Sequence, residues 1–149
     1  MKKILIKEVY NPEKTIALIV EEEENFTNIV KKFVEEPYIR GLFVIDKSGR
    51  YLGFIKRESI LQWAKIKLGD VSGLEEYIFK FSKETVAKHL IYPHSEKATI
   101  SPEDDIVKCL RLMLSYDLTD IPVVDKNLKI LGDVTIPELI SKVLEVSMS

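Results

Sequence analysis

With 149 residues, 46% of them hydrophobic, and a formal net charge of −2, the chain is long enough for one compact core and has no global attraction for nucleic acid. Its basic residues are interspersed with acids instead of gathered on one face, which argues further against a nucleic-acid partner. No apolar run approaches the ~20 residues of a membrane span, and Met1 to Lys7 is too short and too soon charged for a secretory signal, so a cytoplasmic protein with no membrane partner is expected.

Leu5-x-x-x-Val9 followed by Pro12 opens the chain, and Ala17-Leu-Ile-Val20 reads as a strand. Glu21 to Glu24 then lead into Phe26, Ile29, Val30 and Phe33, whose spacing predicts a helix. Those four carboxylates suit a solvated helix entrance facing the positive end of the dipole; consecutive side chains diverge and cannot close around one ion. Leu42 to Gly53 reads as a hairpin: an apolar strand closed by Asp46, a polar turn, and a second apolar strand. A helix carrying Ile60, Trp63 and Ala64 comes next, with Trp63 suited either to the core or to an interface.

Gly69 to Gly73 breaks that helix, and Leu74, Tyr77, Ile78 and Phe81 recur at the spacing of an added amphipathic helix. Its apolar face packs on the protein's own surface or is offered to a partner, and Ser82 can cap the next segment. The pattern then begins again. Val86-x-x-x-Leu90 and Pro93 mirror the opening, and Ala98-Thr-Ile100 mirrors the first strand. Ser101, Pro102 and the acids Glu103 to Asp105 read as a helix start, carried on by Ile106, Cys109, Leu110 and Met113. Cys109 falls on the apolar face, as a buried structural thiol would. Ile121 to Gly132 matches Leu42 to Gly53 without a gap, and a last helix carries Leu139, Ile140, Val143, Leu144 and Val146.

A period of about eighty residues present only twice is a duplicated domain half, since a solenoid needs at least three units. The expected architecture is α/β (α+β): two pseudo-symmetric β-α-β-β-α repeats, 1–68 and 82–149, packed as one module around a linker, 69–81, with its extra helix. An enzyme is not expected. His89 and His94 lack the partners of a metal or catalytic site, and no nucleophile elbow, Walker loop or Rossmann glycine pattern is present.

The tandem of strand-helix-strand-strand-helix units, with Thr119-Asp-Ile-Pro-Val-Val-Asp125 and Leu131-Gly-Asp-Val-Thr135-Ile-Pro-Glu138 in the second copy, resembles a pair of cystathionine β-synthase (CBS) domains, the Bateman module. The resemblance spans about 1–68 and 82–147. It implies a pseudo-two-fold axis, two clefts between the halves, and commonly a flat homodimer. It also implies a regulatory module that binds an adenosyl ligand (AMP, ADP, ATP or S-adenosylmethionine) and requires no other cofactor. With no enzyme attached, such a stand-alone pair acts by dimerising, through a separate regulated protein, or as a ligand reservoir. The alternative is an interaction module that dimerises or binds a partner without a nucleotide.

In nucleotide-binding members a motif similar to Gly-x-x-Thr-x-x-Asp grips the ribose diol, and Gly132, Thr135 and Glu138 hold those positions here. Thr135-x-x-Glu138 is equally a helix capping box. In the first repeat Gly53, Lys56 and Ser59 occupy the same slots, where both the motif's hydroxyl and its carboxylate are missing, so that cleft is either empty or binds something else. The resemblance places adenine against Ala98, Thr99, Ile121, Pro122 and Val123. Arg40 is the phosphate candidate, or else is solvated or paired with Glu35 or Glu36. His94 and Lys97 are either phosphate helpers or loop residues.

Overall fold

The computed structural model describes residues 3–10, 12–15, 18–68 and 74–148. In the first repeat the apolar segments become β1 (Ile19–Glu21), α1 (Phe26–Glu35), β2 (Gly41–Ile45), β3 (Tyr51–Lys56) and α2 (Arg57–Leu68). The linker helix is α3 (Leu74–Ser82), and the second repeat supplies α4 (Ile106–Tyr116), β4 (Asp120–Val124), β5 (Ile130–Thr135) and α5 (Ile136–Ser147). The Gly69 to Gly73 break lies outside the described residues. β1 runs parallel to β2, which pairs antiparallel with β3; β4 pairs antiparallel with β5.

Ala98 to Ile100 departs from the expected strand. Only Ile100 pairs, in a parallel bridge with Val123. In the first repeat the ladder continues because Glu22 N donates to Ile45 O at 2.9 Å. The corresponding residue of the second repeat is Pro102, which has no N–H to donate. Both hairpins turn on an aspartate. Asp46 Oδ1 accepts from Ser48 N and Arg50 N, and Asp125 Oδ1 accepts from Asn127 N and Lys129 N. Gly49 at φ 85° and Leu128 at φ 62° complete the two turns. Leu128 O then accepts from Tyr51 N at 2.8 Å, which joins one hairpin to the other.

The repeats also exchange their leading segments. Ile6 N donates to Asp104 O, Lys7 N to Pro102 O, and Ile106 N to Ile4 O, all within 3.0 Å. Reciprocally, Ala87 N donates to Glu24 O, Lys88 N to Glu22 O, and Phe26 N to Thr85 O. This exchange moves both helix starts. Ser101 was expected to cap α4, but the carbonyls of Pro102 and Asp104 are taken by the leader, and Asp104 Oδ2 accepts from Ser101 N in a separate turn. The caps are Asp105, accepting from Lys108 N, and Asn25, accepting from Asn28 N.

Two apolar clusters result. One gathers Phe26, Ile29, Phe33, Leu42, Ile55 and Trp63 with Ala87 and Leu90 from the second leader. The other gathers Ile100, Cys109, Met113, Ile121, Val123 and Leu139 with Ile6 from the first leader, and also with Phe43, Tyr51 and Phe54. Trp63 therefore belongs to the core, stacked on Phe26 with ring centroids 4.3 Å apart. Cys109 is buried, and burial pushes its thiol pKa up to about 12. Arg57 holds the end of α1 by donating to the carbonyls of Glu36, Pro37 and Ile39. Helix α3 docks along one edge through Phe81 and leaves Tyr77, Ile78 and Phe79 exposed.

The matching glycines have one physical cause. A Cβ on Gly53 would collide with Ile91 Cγ2, and one on Gly132 would lie 2.5 Å from Tyr10 Cδ2. Ile91 and Tyr10 hold corresponding places in the two exchanged leaders, so each glycine admits the leader of the opposite repeat. Gly53→Ala and Gly132→Ala should each lower stability by about 1–3 kcal/mol in urea denaturation, the range of overpacking in a close-packed interior.

Candidate functional site

Where each leader crosses the strand-to-helix junction of the opposite repeat, a depression forms, and the two depressions are built from corresponding residues. Ser59, Gln62, Trp63, His89 and Leu90 line one; Glu138, Ser141, Lys142, Glu8 and Val9 line the other. Their contents differ. The first opens into a cavity of about 880 Å³ that also includes Ile91, Tyr92, His94, Tyr116 and Asp117. The second, of about 410 Å³, carries three carboxylates, Glu8, Glu138 and Glu145, beside Lys142.

The larger cavity has anchored walls. Trp63 Nε1 donates to Thr85 Oγ1 at 2.9 Å, and the Thr85 hydroxyl donates to Phe81 O at 2.7 Å, which ties α2, α3 and the second leader together. Below it, Tyr92 N donates to Phe54 O, Phe54 N to Ser95 Oγ, and the Tyr51 hydroxyl to Ser95 O. Ser59 Oγ accepts from Lys56 N at 3.0 Å. His89 Nδ1 accepts from Val86 N at 3.1 Å, the same bond that Glu8 Oε2 makes to Leu5 N in the other leader.

At the second junction Thr135 caps α5. Its N–H and hydroxyl both donate to Glu138 Oε1, at 3.0 and 2.8 Å, while Glu138 N donates back to Thr135 Oγ1 at 3.4 Å. The capping box is therefore formed, with both bonds to the carboxylate falling on one oxygen. Tyr10 and Pro12 pack over Gly132, and the Thr15 hydroxyl donates to Asp133 Oδ1 at 2.5 Å. Beside them lies Asp120, 3% exposed, whose Oδ1 has no hydrogen-bond partner among the described residues. Burial, a hydrogen bond to Asp133, and the charges of Asp133 and Glu138 raise the Asp120 pKa well above its usual range, against a smaller opposing effect of Arg40.

Of the residues singled out in the sequence, Thr135 and Glu138 are brought together at the second junction, and Glu138 faces the smaller depression. Ala98, Ile121 and Val123 turn into the core, Pro122 is buried with its carbonyl bonded to Ile100 N, and Thr99 is half-buried. Arg40 is exposed before β2, and none of the eight lines the larger cavity. Of the weaker candidates, His94 lines that cavity. Trp63, Tyr92, Tyr116 and Asp117 were not singled out as site residues. The signal available for Tyr92 was its place next to Pro93, in register with the first leader. Among the described residues no three His, Cys, Asp or Glu side chains are placed to hold a metal ion.

A group whose pKa is raised on folding adds stability below its unfolded pKa and loses it as pH climbs through the folded value. For Asp120 that loss starts near 3.8 and runs up to its raised folded pKa. Asp120→Asn cannot ionise and keeps a donor for Asp133, so urea denaturation across this window should show the variant gaining on the parent as pH rises. A difference independent of pH would remove Asp120 from the account.

The family model for the CBS domain matches residues 6–65 and 87–145. No curated protein matches the chain. Among solved structures, the CBS-pair protein CBSX2 from Arabidopsis thaliana is similar at 20% identity and a TM-score of 0.76, covering 99% of each chain. CBSX2 in complex with AMP is similar at 20% identity and a TM-score of 0.70, covering 97% of this chain and 98% of that one. The cytosolic domain of the Mg2+ channel MgtE in complex with ATP aligns with a TM-score of 0.63 at 20% identity, over 90% of this chain and 46% of that one.

Proposed function

The chain belongs to the CBS domain family, and from that premise we propose that it is a regulatory module, not an enzyme, which senses an adenosyl ligand in a cleft between its repeats. The observation that carries this reading is the cavity of about 880 Å³ formed by α2, the second leader and the end of α4. Its volume lies within the ~300–1,000 Å³ of small-molecule sites. Trp63, Tyr92 and Tyr116 give it aromatic surface suited to a purine, and Gln62 and Ser115 give it polar groups suited to a ribose. AMP bound to CBSX2 and ATP bound to MgtE support this ligand class. AMP, ADP, ATP and S-adenosylmethionine are the candidates.

A second placement puts the ribose at the other junction, with Thr135 and Glu138 as its grip and Arg40 toward the phosphate. The unshared Oε2 of Glu138 favours it, because the capping box uses only Oε1 among the described residues. The setting proposed is the cytoplasm, and no helix among the described residues is long and apolar enough to cross a membrane.

Assembly is proposed as a homodimer through the repeat-ending helices, where Leu61 on α2 and Ile140 and Leu144 on α5 are exposed. Thermal melts with AMP, ADP, ATP and S-adenosylmethionine should show a concentration-dependent rise for at least one ligand, worth about 2.7 kcal/mol at a hundredfold excess over Kd. Flat melts with all four would leave the interaction-module reading in its place. Light scattering should give a dimer at micromolar concentration, and Leu144→Glu should shift it to monomer; a monomeric parent would refute this assembly.

A further inference from the structure

Lys56 stands at the end of β3 where the second repeat has Thr135. Its side chain is 14% exposed, and its Nζ lies 3.3 Å from Asp117 Oδ2 and 4.0 Å from the centroid of the Tyr92 ring. Tyr92 and Asp117 both line the larger cavity, so the ammonium sits against that wall. Asp117 belongs to the other repeat, at the end of α4, and its side chain is 89% exposed. The pair is thus lopsided: a nearly buried cation meets an anion that water already solvates. Such a partner contributes little, because most of its attraction is screened. A buried ammonium gains more from an anion held inside the cavity, where the dielectric is lower. The other carboxylate on the lining, Glu84, is exposed like Asp117.

We propose that Lys56 is the residue by which the larger cleft selects a phosphorylated adenosyl ligand over a cationic one, the phosphate taking the place of Asp117 at the ammonium. The inference rests on the ligand reading above and names the ligand's charge. Occupancy then exchanges an ion pair between the repeats for one between protein and ligand, so the α4 terminus is released from β3 when an anion binds. S-Adenosylmethionine, whose sulfonium would be brought toward Lys56, is disfavoured in the same cleft.

Titration calorimetry with adenosine, AMP and S-adenosylmethionine against the parent, Lys56→Gln and Asp117→Asn tests it. AMP should bind the parent more tightly than adenosine or S-adenosylmethionine. In Lys56→Gln the advantage of AMP over adenosine should shrink roughly 10- to 100-fold, the loss expected for a hydrogen bond to a charged group, with adenosine affinity retained. Asp117→Asn, which removes the competing carboxylate, should tighten AMP and leave adenosine unchanged; it decides the matter if Lys56→Gln does not fold. An unaltered AMP-to-adenosine ratio in the variant that folds, or S-adenosylmethionine binding the parent more tightly than AMP, would overturn the role of Lys56 while leaving ligand sensing intact. A parent that binds none of the three, nor ADP or ATP in the same titration, would overturn both.

Discussion

The exchange of leading segments is the constraint on which the rest of this structure depends. Each repeat leaves backbone carbonyls facing outward at the entrance to its first helix, and buried polar groups of this kind must be paired. The opposite leader pairs them: Ile6 and Lys7 at the entrance to α4, Ala87 and Lys88 at the entrance to α1. Neither repeat completes its own core, because Ile6 lies in the cluster around α4 and Leu90 in the cluster around α1. The hairpins add a further join, between Tyr51 and Leu128. The two halves are in this sense one folding unit despite their duplicated pattern.

Because each leader must pass close over the opposite hairpin, both clefts lie along its track and share a backbone plan. Side chains then set them apart. In one, Trp63 and Tyr92 line an open apolar cavity, and Lys56 brings a single nearly buried positive charge to its wall. In the other, Tyr10 and Pro12 pack onto Gly132, and Asp120, Asp133 and Glu138 concentrate carboxylates at the strand-to-helix junction. Opposite electrostatics on a common backbone is what a duplicated module gains once its copies diverge. The fold positions two depressions, and a few substitutions decide the chemistry of each.

The two kinds of buried charge also differ in how they are settled. At Asp120 only a smaller effect of Arg40 opposes burial among the described residues, so desolvation dominates and the carboxyl is stabilised in its neutral form. Lys56 has the exposed Asp117 carboxylate 3.3 Å away and lies over the Tyr92 ring, which offers a further favourable contact to a cation. The acidic junction is thus where a response to pH is expected, and the cavity is where the proposed ligand's charge would be read.

Much of the fold was written locally. The two Asp-turn-Gly hairpins, the apolar periodicity of α1, α4 and α5, and the Thr135 cap each depend on residues a few positions apart, and these features stand in the structure as the sequence implies. The start of α4 was not legible from Ser101-Pro102, because the carbonyls that decide it are claimed by Ile6 and Lys7 from the other end of the chain. The reason for Gly53 and Gly132 was hidden for the same cause, since the crowding atoms belong to Ile91 and Tyr10. Of the candidate sites, the sequence marked Thr135 and Glu138, which meet at the second junction through a spacing within one helical turn, whereas the larger cavity joins residues from α2, the second leader and the end of α4. Turn chemistry and helical period act between near neighbours and can be read along a chain; burial, charge pairing and open volume exist only after distant segments have met.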